Sequence, residues 1–365
     1  MQSLQMSSAK VDESSELNDV RAASAFKGIS FSGFKKTEVR TQFLENMKKG
    51  KIEPACYWCA ELVAAGHFLD VWETILYFFG KHIHLANPKL SIYLAMRYHV
   101  FKNIVEQGFY TSELQLRNHA NIRKLFAEVV CNLTMSNKKN GIETIKINRV
   151  EEFDMTQMTD RLKAPSIAYA DTILRKDDPK ELLIAMNEFA YQISADSKNM
   201  NMACYWIEWI IEFDGICKHR KEGVKCERRL YSVDGKLQRD IIWMVWDAIV
   251  AESEKQANPI HTKIIQSILE LFCIKYTPAT SKKRRYLLYF AVAVLTEPVQ
   301  TNQSIVSDKA MLENVVERIH QIYKQIKKNE QSPNTEYLFA NMAKENTLEK
   351  TIQKLEIMQS MDIFA

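Results

Sequence analysis

Glycine and proline are scarce, at 10 and 8 of 365 residues, against ordinary usage of about 7% and about 5%. A β-rich chain of this length needs many more turn residues, so the composition points to long helices joined by few tight turns. Long apolar runs are missing too. The longest, Tyr286 to Leu295, has 10 residues, about half of the ~20 that a membrane-spanning helix needs. No cysteine framework exists: the seven cysteines, an odd number, are scattered. No signal-peptide pattern opens the chain, so free thiols in a reducing compartment are expected. Neither sign of charge dominates. A net charge of +4 does not mark a general polyanion binder and leaves only local basic patches to consider.

What is present in quantity is core material, 46% hydrophobic and 10% aromatic residues, and it is arranged twice. Ala55-Cys56-Tyr57-Trp58 returns 148 residues later as Ala203-Cys204-Tyr205-Trp206. Both copies read as apolar helices ending near a glycine. Lys89-Leu90 and Lys236-Leu237 each precede an aromatic helix, and Ile122–Cys131 aligns with Ile264–Cys273. Ordered matches at a nearly constant offset point to duplication. The expected fold is all-α: duplicated multi-helix bundles with at most one short β-hairpin, where Gly141 to Val150 alternates. Four segments follow: a flexible N-terminal arm over 1–25, helical repeats over 26–150 and 151–296, and a C-terminal extension over 297–365. That extension is expected to carry exposed amphipathic helices at Asp308–Lys327 and Asn346–Gln359. Asn87-Pro88 and Asp178-Pro179-Lys180-Glu181 read as helix starts, with Asn or Asp as cap and proline in the first turn.

Candidate chemistry is sparse. Cys56-x-x-Cys59 places two thiols on one helical face, as half a zinc site or a redox pair would. The other half would come from His82 and His84, or from Cys217, His219 and Cys226. The second copy has Ile207 where Cys59 stands, which a packing position tolerates and a ligand position does not, so no metal is expected. Gly28 to Gly33 followed by Lys35-Lys36-Thr37 resembles a phosphate-binding loop, but Phe34 stands where the lysine belongs and no strand leads in. Glu61, Glu208 and Glu212 lie in apolar company, which implies raised pKa values or pairing with an arginine such as Arg97, Arg117 or Arg123. Basic clusters at Lys48–Lys51, Lys138–Lys139, Lys218–Arg229, Lys282–Arg285 and Lys324–Lys328 fall on separate helices and read as solvated surfaces. Nucleophile, metalloprotease and glycine-cradle motifs are missing. The chain reads as non-enzymatic, with no cofactor and no small-molecule substrate.

Several stretches carry a resemblance: Phe31 to Thr37, Glu53 to His67, His82 to Leu90, Leu116-Arg117-Asn118, Asp178 to Leu182 and Asn187 to Tyr191. Together they resemble a protein family of nucleocytoplasmic large DNA viruses of the icosahedral, chlorella-virus-like kind, over about residues 26 to 280. The resemblance implies a virion component, a minor capsid protein beneath the major capsid lattice. Its partners would be the major and other minor capsid proteins, near the inner membrane, with assembly in the host cytoplasm. It brings no catalytic residues. Pro54 to Asn103 is also similar to the helical collar of clamp-loader ATPases, which implies an interaction module. The rival expectation is a non-enzymatic helical adaptor in viral replication or transcription, the one reading with room for nucleic-acid contact; nucleic acid is otherwise not an expected partner.

Overall fold

Val39, Phe43 and Met47, spaced by four, lay one buried stripe along the first long helix, and the same logic builds ten more. A computed structural model describes residues 13–331 and 352, except 109, 111, 150–152 and 154–158. Among the described residues the helices of more than two turns, in chain order, are α1 (Lys36–Lys48), α2 (Ile52–Ala64), α3 (Phe68–Phe78), α4 (Leu90–Gln107) and α5 (Ala120–Met135). Then come α6 (Leu183–Ile193), α7 (Met200–His219), α8 (Ile242–Lys255), α9 (Pro259–Cys273), α10 (Arg285–Thr296) and α11 (Lys309–Lys327). The fold is all-α. Among the described residues the β pairing is limited to one isolated bridge, Ile29 with Lys35. The alternating stretch 141–148 is irregular. Its isoleucines pack on the core and Thr144 meets the Tyr286 hydroxyl at 2.7 Å, but no second strand faces it. Val150 lies outside the described residues.

The packing repeats. α1 lies on α2 as α6 lies on α7, α2 on α5 as α7 on α10, α1 on α3 as α6 on α8, and α4 on α5 as α9 on α10. The equivalent helices α4 and α9 then pack on each other across the middle, so one continuous core joins both units. Matching residues mark this register. Val71-Trp72 and Ile75 correspond to Val245-Trp246 and Ile249, and Asn87-Pro88 to Asn258-Pro259. Leu133-Thr134 corresponds to Leu295-Thr296, and both threonine hydroxyls donate four residues back, to Val130 at 2.6 Å and Val292 at 2.9 Å. The pairings expected from Lys236-Leu237 and Ile264–Cys273 are therefore displaced by one helix. The cause is the long irregular stretch 220–241, which separates α7 from α8 where α2 and α3 are joined by a tight turn at Gly66.

Long-range contacts override two local expectations. Asp178 does not cap a helix. Its carboxylate takes two hydrogen bonds from Arg229, at 2.5 and 2.6 Å, and two from the backbone amides of Arg175 and Glu227. This ties the 220–241 stretch to the start of α6. Asn87 does not cap α4 either; its amide donates to Ser304 O at 2.8 Å. Its counterpart Asn258 does cap, accepting from Ile260 N and His261 N.

The termini also differ from expectation. In the arm, residues 13–25 are packed on their own chain: Leu17 is buried, Asn118 holds its backbone on both sides, and Arg123 donates to Ser15 O. Residues 1–12 lie outside the described part. α11 is not an exposed helix. Leu312, Ile319, Ile322, Tyr323 and Ile326 are buried, and the helix lies along α2 and α5. The Asn346–Gln359 helix falls, apart from Ile352, outside the described residues.

Candidate functional site

Cys56 and Cys59 share a face of α2, as i and i+3 spacing requires, but that face looks inward. Each is 2% exposed. Burial pushes both thiols well above their ordinary pKa, with Cys131 and Glu53 adding to the effect at Cys56 and Cys56 adding at Cys59. A neutral thiol is a poor metal ligand or nucleophile. Among the described residues no group of three His, Cys, Asp or Glu side chains is placed to hold one ion. His82, His84, Cys217, His219 and Cys226 are thus not brought to the pair. Cys226 donates instead to Asp240 O. Cys56 and Cys59 form part of the seat of α11, beside Arg123, Phe126, Ile319 and Tyr323.

The carboxylates in apolar company are held by partners. Glu61 accepts from both the hydroxyl and the amide of Ser32, at 2.5 and 3.0 Å. The turn that resembled a phosphate loop therefore directs its amide at a carboxylate. Burial, reinforced by Glu61, pushes the Tyr57 hydroxyl up to about 12. Glu208 accepts from Tyr289 at 2.6 Å and from Arg285 at 2.9 Å. Burial still leaves its carboxyl above the ordinary value. Glu212 pairs with Arg149 at 2.6 Å and Lys282 at 3.2 Å, which outweigh its burial and hold it below that value. The arginines involved differ from those expected. Arg97 serves Glu128 at 2.6 Å, while Arg117 and Arg123 grip the arm's carbonyls. The cluster at Lys282–Arg285 is largely neutralised, because Arg284 also pairs with Glu73 at 2.7 Å.

A large opening lies elsewhere. Where α3, α4 and α9 meet the loop around Leu230, a groove of about 840 Å³ runs along the junction of the two units. Phe68, Trp72, Tyr98 and Phe101 interlock beneath it, with ring centroids 5.2 to 6.3 Å apart. Three large apolar side chains stand out of it: Leu69 is 40% exposed, Met96 59% and Leu230 86%. Polar side chains ring the edge: His99 meets Glu270 at 2.5 Å, and the opposite charges of Lys275 and Glu113, at 2.8 Å, and of Lys102 and Glu106, at 3.6 Å, pair. The one thiol in its lining, Cys273, is buried, and burial pushes it up to about 12. An apolar floor with a balanced polar rim recognises shape and apolar side chains.

Sequence reasoning missed this groove, although α4 held a signal. Ile92, Met96 and His99 stand at i, i+4 and i+7 on one face, while Leu90, Leu94 and Phe101 occupy another. A helix apolar on two faces needs two covers. No protein-family model, curated protein or solved structure matches the chain.

Proposed function

We propose that this chain is a non-enzymatic interaction protein whose inter-unit groove receives an apolar helix face of a neighbouring subunit, and that it serves as minor capsid cement in a large icosahedral double-stranded DNA virus. The groove carries the first half of this reading. Leu69, Met96 and Leu230 come from three separate segments and together present an apolar surface around one groove. Exposed apolar surface of this kind marks contact sites. A helix laying residues i, i+3, i+4 and i+7 into a groove is a recurring way to fill it. The setting rests on the resemblance of residues 26 to 280 to the viral family.

The test has two arms. Quantitative mass spectrometry of purified particles should find the chain at a fixed ratio to the major shell protein. Recovery only with replication complexes would turn the reading to the helical adaptor. In the same particles, M96E should lower incorporation at least tenfold while leaving the purified protein folded, since Met96 contributes little to the core. Full incorporation of M96E would remove the groove from the contact.

A further inference from the structure

Past α11 the chain is pinned close to the groove. The amide of Gln331 donates to Asp19 Oδ2 at 2.9 Å, and Val20 N donates to Gln331 O at 3.3 Å. Asp19 O in turn accepts from Arg117 Nη2 at 2.9 Å. Arg117 belongs to a short 3-10 helix, Glu113–Asn118, whose Glu113 and Leu116 line the groove. That helix has six residues, about 12 Å at a 3-10 rise. Two hydrogen bonds and this one short helix therefore connect Gln331 to the groove rim.

Beyond Gln331 the sequence continues for 34 residues. After the cap signal at Asn346, Leu348, Ile352 and Leu355 stand at i, i+4 and i+7, the spacing with which an amphipathic helix enters an apolar groove. Ile352, the described residue of this stretch, is 47% exposed, so the described fold does not cover it. An open apolar groove and an uncovered apolar stripe thus belong to one chain. The spacer between them, residues 332–345, holds 14 residues. It reaches about 46 Å when extended, and a coil of that length spans about 20 Å on average, enough for the path from Gln331 to the rim.

We propose that residues 346–359 of the same chain close the groove in the free protein and yield it to the neighbouring subunit on assembly. This rests on the groove being the contact site proposed above, and adds its regulation. Tethering selects this occupant. A short spacer holds the segment at an effective concentration of about 1 mM. With an intrinsic dissociation constant of about 100 µM the segment then fills the groove to about nine-tenths, and the apparent affinity of any competitor falls roughly elevenfold. A neighbour at micromolar concentration in solution is kept out. A shell lattice presents its helices at a local concentration comparable to that of the tether, and displaces the segment.

Fluorescence anisotropy with a labelled peptide of residues 344–361 and the full-length chain tests it. L348E/L355E, which disables the chain's own segment, should bind the peptide at least tenfold more tightly than the unmodified chain does. Adding M96E to that variant should weaken the peptide again by at least tenfold. Cooperative urea unfolding of each variant separates a lost contact from a lost fold. A peptide that does not bind folded L348E/L355E, that binds it and the unmodified chain equally, or that binds despite M96E would overturn the closure. The groove reading fails by a different result, full incorporation of M96E into particles. A silent peptide with M96E still kept out of particles therefore rejects the segment alone.

Discussion

Arg229 and Asp178 each leave 1% of their side chain exposed, so neither charge has water to fall back on. Removing one partner strands the other, a loss of about 3–5 kcal/mol. R229M should accordingly lower the urea midpoint sharply, and R229M/D178L should recover only part of it, because the backbone amides of Arg175 and Glu227 lose Asp178 and Asp247 loses Arg229. The pair also sets a pH response. Burial alone would raise the Asp178 carboxyl, but hydrogen bonds from Arg229, Arg175 N and Glu227 N, with the Arg229 charge, hold it below its ordinary value. A depressed folded pKa gives stability that is full above the unfolded value of about 3.9 and is lost as pH falls through the folded one. Below about pH 4 the urea midpoint of the unmodified protein should therefore fall more steeply than that of D178N; parallel profiles would show that Asp178 contributes no such linkage.

At the scale of elements, α11 closes the first unit. Tyr323 is 1% exposed with the Arg123 guanidinium 3.8 Å above its ring, and the same guanidinium reaches Ser15 O. Past its end, Gln331 pairs through its backbone with Val20 and Asp19. Helix and arm therefore hold each other. Y323A should cost about 3–5 kcal/mol. A chain ending at residue 300 should be cut by trypsin after Arg21 far faster than the full chain; equal cutting rates would separate the two elements. The amphipathic spacing of Leu312, Ile319, Tyr323 and Ile326 was legible in the sequence, since periodicity shows that a face is buried. It does not show against what, which is why α11 read as exposed. The cap signals at Asn87 and Asp178 failed for a related reason: Ser304 and Arg229, far along the chain, offered those side chains better partners. The burial of the thiols was legible, because Ile207 at the position matching Cys59 marks a packing face. The groove was legible only in the second apolar face of α4, because Leu69 and Leu230 come from segments that only the packing brings to it.

For the whole molecule, the question is whether duplication left two domains or one. Independent domains would each need a finished surface where they meet. Here α4 and α9 face each other, with the hydroxyls of buried Ser91 and Ser267 2.7 Å apart. Arg284, between α9 and α10, reaches back to Glu73 on α3, and Phe290 of α10 packs edge-on against Phe79, just past α3, at 5.3 Å. Cutting the chain near residue 150 would expose these surfaces on both pieces and leave Arg284 without its carboxylate. The first piece would also lose α11, which belongs to its core. Residues 26–150 and 151–296 produced separately should accordingly be insoluble or lack sharp unfolding, and the full chain should melt in one calorimetric transition. Two resolved transitions, or a folded and monomeric 26–150, would show two domains placed side by side. A single transition would also set where the groove lies energetically. Its floor would be core shared by both units, so an occupant would press on both at once, and a bound helix should raise the melting temperature of the entire chain.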